Sequence, residues 1–218
     1  MAWAAIIGAV ALVSYAAHFS ARDALPAPDI LFRWSTAIGA LVLDTILLVL
    51  ALLVARGLPL RDAFALRRPR SWSDALRVGL VALGATWLTS LALEVVVGHD
   101  VREQAVPRYA DATRIAPFVA NFVVIALYAP IVEESLCRGL GFTLLEGWGV
   151  PVAVVGSSVA FALAHGAVLD LPWVLVTGLG LGYLRARSAS LFPCVGLHAT
   201  VNGMAMLASV LLTPSAAA

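Results

Sequence analysis

Charge is scarce in this sequence, and lysine is absent from it. Of the 218 residues, 61% are hydrophobic, only 12% are charged, and all 14 basic residues are arginine. A soluble domain of this size does not have such a composition. The net charge of +1 excludes an overall basic surface for nucleic acid, and no nucleic-acid-binding motif is present. The alternating pattern of an outer-membrane barrel is also missing, because runs of Leu, Ala and Val dominate.

Cysteine is nearly absent too. Cys137 and Cys194 have neither the spacing of a zinc site nor that of a redox motif. A His-Glu-x-x-His helix, the signature of one large class of zinc proteases, does not occur. Inverted repeats with broken helices, which are typical of transporters, are not recognisable either. These absences weaken the metal and transport interpretations of the chain.

Long apolar runs are what the sequence has instead. Several approach or exceed the roughly 18 to 20 residues that span a bilayer as a helix. The first run has no positively charged segment ahead of it, so we interpret it as a transmembrane helix and not as a cleavable signal peptide. The predicted fold class is all-α, a polytopic helical membrane protein with about seven transmembrane helices and a polar intramembrane cavity. The predicted helices cover residues 1–19, 34–55, 75–97, 117–145, 152–167, 172–185 and 191–212.

The distribution of arginine predicts the orientation of these helices. The connection 56–77 carries six arginines against two aspartates, so the positive-inside rule places it in the cytoplasm. Arg185 and Arg187 fall on the same side, which puts the N-terminus inside and the C-terminus outside. We expect a single membrane domain, with about three transmembrane helices and polar loops in 1–115 and the functional core in 116–213. The expected location is the inner (cytoplasmic) membrane of a bacterium, as a multi-pass protein.

The segment 132–138 places two glutamates and an arginine beside an uncharged apolar stretch, 118–132. An ionisable side chain in the bilayer core costs roughly 2.5 to 3.5 kcal/mol, so such residues are functional candidates. Glu134 and Arg138 are four residues apart on one helix face and can form an ion pair. Glu133 is turned about 100° away and lacks that partner, which suits it to act as a general base. The competing interpretation is a buried ion pair with a spare acid that fixes helix packing.

Two further polar pairs lie in the later helices. Phe161 and His165 are four residues apart, as are His198 and Asn202, so each pair shares one helix face. Either histidine alone is more often a satisfied interior residue than a catalytic one. Their coincidence with the glutamate pair favours a shared site.

Residue counts predict that the glutamate and the histidines lie at similar depths. Glu133 lies 14 residues before Gly147 and His165 lies 14 residues after Pro151, so an antiparallel hairpin brings the two level. His198 is roughly 12 Å into its helix, against roughly 21 Å for Glu133, at 1.5 Å per residue. The two depths are compatible if the hairpin at 143–151 protrudes into the cytosol. The predicted site is a polar cavity sunk into the membrane and open to the cytoplasm.

Three other residues of the predicted spans receive structural interpretations. Asp44, deep in the second span, is expected to hydrogen-bond towards the interior of the bundle. Cys137 and Cys194 would be neighbours if their helices run antiparallel with Glu133 level with His198. A reducing cytosol disfavours a disulfide, so we expect two small buried hydrophobic residues.

The three motifs together resemble a known family. Glu-Glu-x-x-x-Arg, Phe-x-x-x-His and His-x-x-x-Asn occur in this order on separate hydrophobic helices. This arrangement is similar to that of the CAAX protease and bacteriocin-processing (CPBP) family of intramembrane glutamic endopeptidases. The resemblance covers about residues 117–202 and includes the glycine-rich sixth helix. Each motif is short, but the three together are fairly specific.

The resemblance implies an intramembrane endopeptidase that needs no cofactor. Glu133 would act as general base on a water that His165 helps to hold, and this water would attack the scissile carbonyl. His198 and Asn202 would donate hydrogen bonds to the developing oxyanion. The supporting residues would be Glu134, Arg138 and Phe161.

Two other functions stay open. A zinc-dependent membrane protease would use Glu133, His165 and His198 as ligands, a set of two histidines and one carboxylate. A non-enzymatic membrane protein for binding, immunity or transport would use the polar cavity to hold a ligand. Serine catalysis is disfavoured, because no serine lies in a nucleophile elbow.

The expected partners are the lipid bilayer and a protein or peptide with a membrane-associated cleavage site. The resemblance implies prenylated C-terminal tails, peptide precursors or bacteriocins, or C-terminal membrane anchors as substrate classes. The absence of lysine and the bias towards Ala, Leu and Arg indicate a GC-rich bacterium, where farnesylated tails are not expected. We therefore favour an unprenylated substrate, and we expect no nucleic-acid partner.

Overall fold

The computed structural model describes residues 2–20, 27–98, 103–104 and 106–212, and this part of the chain is all-helical. The predicted fold class is therefore confirmed. A short 3-10 turn at Ile30–Phe32 precedes the second helix. The helices are α1 Ala2–Ser20, α2 Trp34–Val54, α3 Leu60–Ala63, α4 Trp72–Val97, α5 Ile115–Trp148, α6 Val150–Ala164, α7 Leu171–Ser188 and α8 Phe192–Leu211.

Each of the seven predicted helices is present, but fewer of them qualify as membrane spans. Among the described residues, five helices are long and apolar enough to cross a membrane, namely α1, α2, α4, α5 and α8. Helix α6 has 15 residues, or about 22 Å at 1.5 Å per residue, against about 30 Å of hydrocarbon. Helix α7 carries Arg185 and Arg187 in its last turn, which lowers its hydropathy. The chain is an integral multi-pass membrane protein, and five of its about seven predicted spans meet this length and composition among the described residues.

Local sequence explains where the helices begin and end. Ser71 caps α4 by accepting a hydrogen bond from the Asp74 backbone N–H at 3.2 Å, as the sequence Ser-Trp-Ser-Asp predicts. Proline stands in the first turn of α6, α7 and α8, where its missing N–H leaves no helical bond unmade. Gly149 separates α5 from α6 with φ +107°, a conformation that favours glycine. Helix α6 ends three residues earlier than predicted, because Gly166 has φ +63°.

Helix α5 is not a regular α-helix along its whole length. Residues Phe122–Tyr128 and Ser135–Gly141 form two π-helical segments on either side of Ala129–Glu134. Pro130 accounts for an irregularity at the first segment, because proline has no N–H to donate to the preceding turn and its ring crowds that carbonyl. Segments of π-helix are frequent at functional sites, and here the second one begins directly after the two glutamates.

Helices α4 and α7 run antiparallel, with the start of α4 beside the end of α7. The Arg70 N–H donates to the Ser188 carbonyl at 3.0 Å, and Arg187 forms an ion pair with Asp74 at 3.1 Å. The arginines at the end of α7 therefore lie at the same end of the bundle as the basic connection, which is the arrangement that the sequence predicts.

Helix α1 packs against α5 through a tight contact between an indole ring and a glycine. Trp3 donates from Nε1 to the Leu136 carbonyl at 2.9 Å, in the second π-helical segment. A Cβ atom added at Gly141 would lie only 2.4 Å from the Trp3 ring. Glycine at position 141 therefore allows α1 to approach the helix that carries the two glutamates.

We expect Gly141→Ala to displace the Trp3 ring and to destabilise the protein by about 1–3 kcal/mol, the usual cost of overpacking. The measurement is the thermal unfolding midpoint in detergent. Gly147→Ala on the same helix is the matched control, because a Cβ there meets nothing within 4 Å. Equal midpoints for the two variants would contradict the contact.

Candidate active site

Three helices bring a glutamate and two histidines together inside the bundle. Glu133 on α5 has its Oε2 atom 3.8 Å from His165 Nε2, at the end of α6, and 3.9 Å from His198 Nε2, on α8. The predicted common level of Glu133 and His165 is confirmed. His198 also lies level with Glu133, which the residue counts allow if the hairpin at 143–151 protrudes beyond the start of α8.

The exposed fractions of these side chains show from which side the cluster is open. The side chain of Glu133 is 29% exposed and that of His165 is 22% exposed, whereas that of His198 is 5% exposed. The cluster is therefore open on the Glu133 and His165 side, while His198 lies on its inner side.

Glu134 occupies a different environment from its neighbour Glu133. It is fully buried, and its Oε1 atom accepts hydrogen bonds from Arg138 at 3.1 Å and from His198 Nδ1 at 2.9 Å. The predicted Glu134–Arg138 pair is thus present. The bond to His198 was not predicted, although a buried carboxylate has more lone pairs than one arginine satisfies, which was a signal for a second partner.

Arg138 links three helices through one side chain. Its guanidinium donates to the Gly178 carbonyl on α7 at 2.8 Å and lies 4.3 Å from the centre of the Phe161 ring on α6. Cation–π contact and charge-assisted hydrogen bonding both stabilise the guanidinium away from water. Phe161 also contacts both histidines, with ring centres 4.4 Å from His165 and 5.5 Å from His198.

The histidine tautomers follow from their Nδ1 partners. His165 Nδ1 lies 2.8 Å from the Phe161 carbonyl, and His198 Nδ1 lies 2.9 Å from Glu134. Both partners are acceptors, so each Nδ1 carries a proton and donates it. The Nε2 atoms of both rings therefore face Glu133.

Asn202 is placed one helical turn beyond His198 and joins α8 to α5. Its amide donates to the Ile125 carbonyl, in the first π-helical segment, at 3.0 Å. One of its two amide N–H groups is used in this way.

Helix α1 holds the loop that follows His165, an arrangement that the sequence motifs do not indicate. Ser14 donates to the Ala164 carbonyl at 2.8 Å, and Tyr15 donates to the Ala167 carbonyl at 3.2 Å. Gly166 packs directly on α1, because a Cβ atom there would lie 2.6 Å from Ser14 Cβ.

Glu103 fixes the same loop from another direction. Its carboxylate accepts backbone N–H bonds from Val168, Leu169 and Asp170 at 3.2, 3.0 and 2.9 Å. Asp170 in turn accepts the Gln104 N–H at 2.7 Å. Burial of the Glu103 carboxyl opposes ionisation, but the N–H bonds from Leu169, Asp170 and Val168 outweigh it and lower the pKa of this group. The charged form of Glu103 thus secures the connection between α6 and α7.

The predictions for the buried aspartate of α2 and for the two cysteines are confirmed only in part. Asp44 is buried in α2 and close enough to Glu133 for the two carboxyl groups to interact electrostatically. The hydrogen bond expected for Asp44 is not found among the described residues. Cys137 and Cys194 are free and buried, as expected, and belong to different clusters of buried hydrophobic residues.

In the part of the chain that the structure describes, no group of three or more His, Cys, Asp or Glu side chains is arranged to hold a metal ion.

These observations define a class: a multi-pass membrane protein whose helices enclose a cluster of glutamates and histidines. A family model described as "Type II CAAX prenyl endopeptidase Rce1-like" matches residues 115–204, which include every residue of the cluster. Over this segment the chain is similar to the Rce1-like family, in agreement with the resemblance of its motifs. The similarity implies a membrane protease. No curated protein and no solved structure matches it.

We expect Arg138→Met to destabilise the protein by about 3–5 kcal/mol, because it leaves the Glu134 carboxylate buried without its guanidinium partner. Chemical unfolding in detergent measures the change. The double variant Glu134→Gln with Arg138→Met should recover part of the loss, since it removes both charges.

Arg187→Gln is the control for this experiment. It breaks an exposed ion pair with Asp74, for which the expected cost is about 0–1 kcal/mol. If Arg138→Met costs no more than Arg187→Gln, the buried pair does not stabilise the fold in the way inferred.

Proposed function

We propose that the chain is an intramembrane endopeptidase in which Glu133 activates a water molecule to hydrolyse a peptide bond. The observation that carries this proposal is the convergence of His165 Nε2 and His198 Nε2 on Glu133 Oε2, at 3.8 and 3.9 Å. These distances are too long for direct hydrogen bonds, and they suit a bridging water.

The surroundings of Glu133 support its role as the base. Its Oε2 atom is buried and has no hydrogen-bond partner among the described residues, so the atom is free to take a proton. His165 holds its Nδ1 proton on the Phe161 carbonyl, which leaves Nε2 as an acceptor that can orient the water. Proximity of an oriented water to a carboxylate base is the requirement for general base catalysis.

His198 supports stabilisation of the oxyanion. Its ring lies between the carboxylates of Glu133 and Glu134, an arrangement suited to the doubly protonated imidazolium. In that form Nδ1 still donates to Glu134, and Nε2 can donate to the carbonyl oxygen as negative charge develops. The second amide N–H of Asn202 is the other proposed donor.

The chemical steps balance without a cofactor. The water oxygen bonds to the scissile carbonyl carbon while its proton passes to Glu133. When the tetrahedral intermediate collapses, the C–N bond breaks and Glu133 returns the proton to the leaving nitrogen. Glu134, Arg138 and Phe161 hold the histidines and α5 in place during these steps.

We propose a protein or peptide with a cleavage site in or near the bilayer as the substrate, in a bacterial cytoplasmic membrane. The partly exposed side of Glu133 and His165 gives such a segment access to the site. The family description names prenylated substrates. The composition of the chain favours an unprenylated one, so both forms of a test peptide should be compared.

We expect Glu133→Gln to lower cleavage by at least about 10²-fold, because the amide cannot accept the proton of the water. The measurement compares new protein termini in host membranes that contain wild type or variant at matched levels. Glu146→Gln is the control, since Glu146 is exposed near the end of the same helix. If termini persist with Glu133→Gln, this residue is not the base. If wild type produces no new termini, a non-enzymatic role replaces the proposal.

We expect cleavage to survive exhaustive chelation, because Glu133 activates water without a metal in this mechanism. The measurement is peptide hydrolysis by the purified protein before and after dialysis against a strong chelator. Activity that falls on chelation and returns with added zinc would contradict the mechanism and favour Glu133, His165 and His198 as metal ligands.

A further inference from the structure

A second feature lies on the opposite face of α7 from the candidate active site. Helices α4 and α7 enclose a groove of about 420 Å³ that is lined by apolar atoms. Val81 and Ala85 line it from α4, and Val176 and Gly180 line it from α7. Gly178, on the other face of α7, accepts the hydrogen bond from Arg138. The groove is therefore separate from the cluster of glutamates and histidines.

Small residues and one polar pair shape this groove. The two helices are in close contact at Gly180, where an added Cβ atom would lie 2.8 Å from Ala82 Cβ. Towards the bilayer core, Thr177 donates to Thr86 at 3.3 Å and joins the helices again. Between these contacts and the start of α4, the small side chains leave space for an apolar chain.

The other end of the groove lies at the basic end of the bundle, where the apolar stem of an arginine contributes to the lining. Arg77 and Tyr183 line it there, one to two turns from the Arg187–Asp74 ion pair. Arg77 is exposed and forms no ion pair with any residue that the structure describes. An arginine with a tyrosine at the boundary of an apolar span is the usual arrangement at the level of lipid headgroups.

We propose that this groove binds an anionic phospholipid, with one acyl chain between α4 and α7 and the phosphate on Arg77. The apolar lining matches the chain, and the free guanidinium matches the negative phosphate. From Arg77 to Ala85 the helix rises about 12 Å, which is long enough to cover a substantial part of an acyl chain. Each CH₂ group that enters the groove adds to the affinity.

Native mass spectrometry of the purified full chain tests this binding. The protein in detergent is titrated with dioleoylphosphatidylglycerol or with dioleoylphosphatidylcholine. We expect the anionic lipid to bind about tenfold more tightly. Arg77→Gln should remove this preference. Ala85→Phe should lower the affinity for both lipids, because the larger side chain fills the groove. Val81→Trp serves the same purpose if Ala85→Phe does not fold.

Two matched control variants distinguish lipid binding in the groove from unspecific lipid binding elsewhere on the protein surface. Arg56→Gln removes an exposed arginine of the same basic connection, and Ala92→Phe adds bulk on α4 outside the groove. Neither should change lipid binding. Equal binding of the two lipids by wild type, or an equal effect of Arg56→Gln and Arg77→Gln, overturns the proposal. Displacement of phosphatidylglycerol by a farnesylated peptide also overturns it, because the occupant is then the lipid of a substrate.

Discussion

The burial of the Glu134–Arg138 ion pair is the constraint on which the rest of the core depends. Taking both charges out of water costs several kcal/mol for each ion, and their attraction repays this only with further hydrogen bonds. The structure supplies these from His198, from the Gly178 carbonyl and from the face of Phe161. Because these partners lie on α8, α7 and α6, satisfying the pair fixes four helices around one point.

Two polar atoms of this buried ion pair make no hydrogen bond to a described residue. Glu134 Oε2 and Arg138 Nε are buried without hydrogen-bond partners among the described residues. An unpaired polar atom in a buried position costs about 1–3 kcal/mol. Apolar residues of similar volume often stabilise such a position equally well, and what these charges add here is the hydrogen bond from His198 to Glu134.

The sequence predicts those features that depend on spacing along one helix. The Glu134–Arg138 pair follows from a separation of four residues, and the common depth of Glu133 and His165 follows from counting to one hairpin. The bond between Glu134 and His198 depends on the relative depth of two distant helices, which residue counts do not determine. The π-helical turns of α5 leave no periodic signal, because the apolar residues surround the helix on every side.

The sequence did not predict the contact between α1 and the loop after His165, for a related reason. Ser14 and Gly166 are 152 residues apart, and neither residue has a side chain whose chemistry suggests catalysis. Their contact exists because Gly166 lacks a Cβ atom and can adopt positive φ against a neighbouring helix. Such contacts depend on shape, and a single sequence records only that a small residue is present.

Adjacent glutamates acquire different roles because a helix turns about 100° per residue. Glu134 faces the bundle, where Arg138 and His198 neutralise it. Glu133 is partly exposed, and its Oε2 atom has no hydrogen-bond partner among the described residues. The two glutamates are linked through His198. Glu134 accepts the hydrogen bond from His198 Nδ1, and this bond orients the ring so that Nε2 faces Glu133. The base that we propose, Glu133, therefore depends on Glu134, whose Oε1 atom accepts hydrogen bonds from both Arg138 and His198.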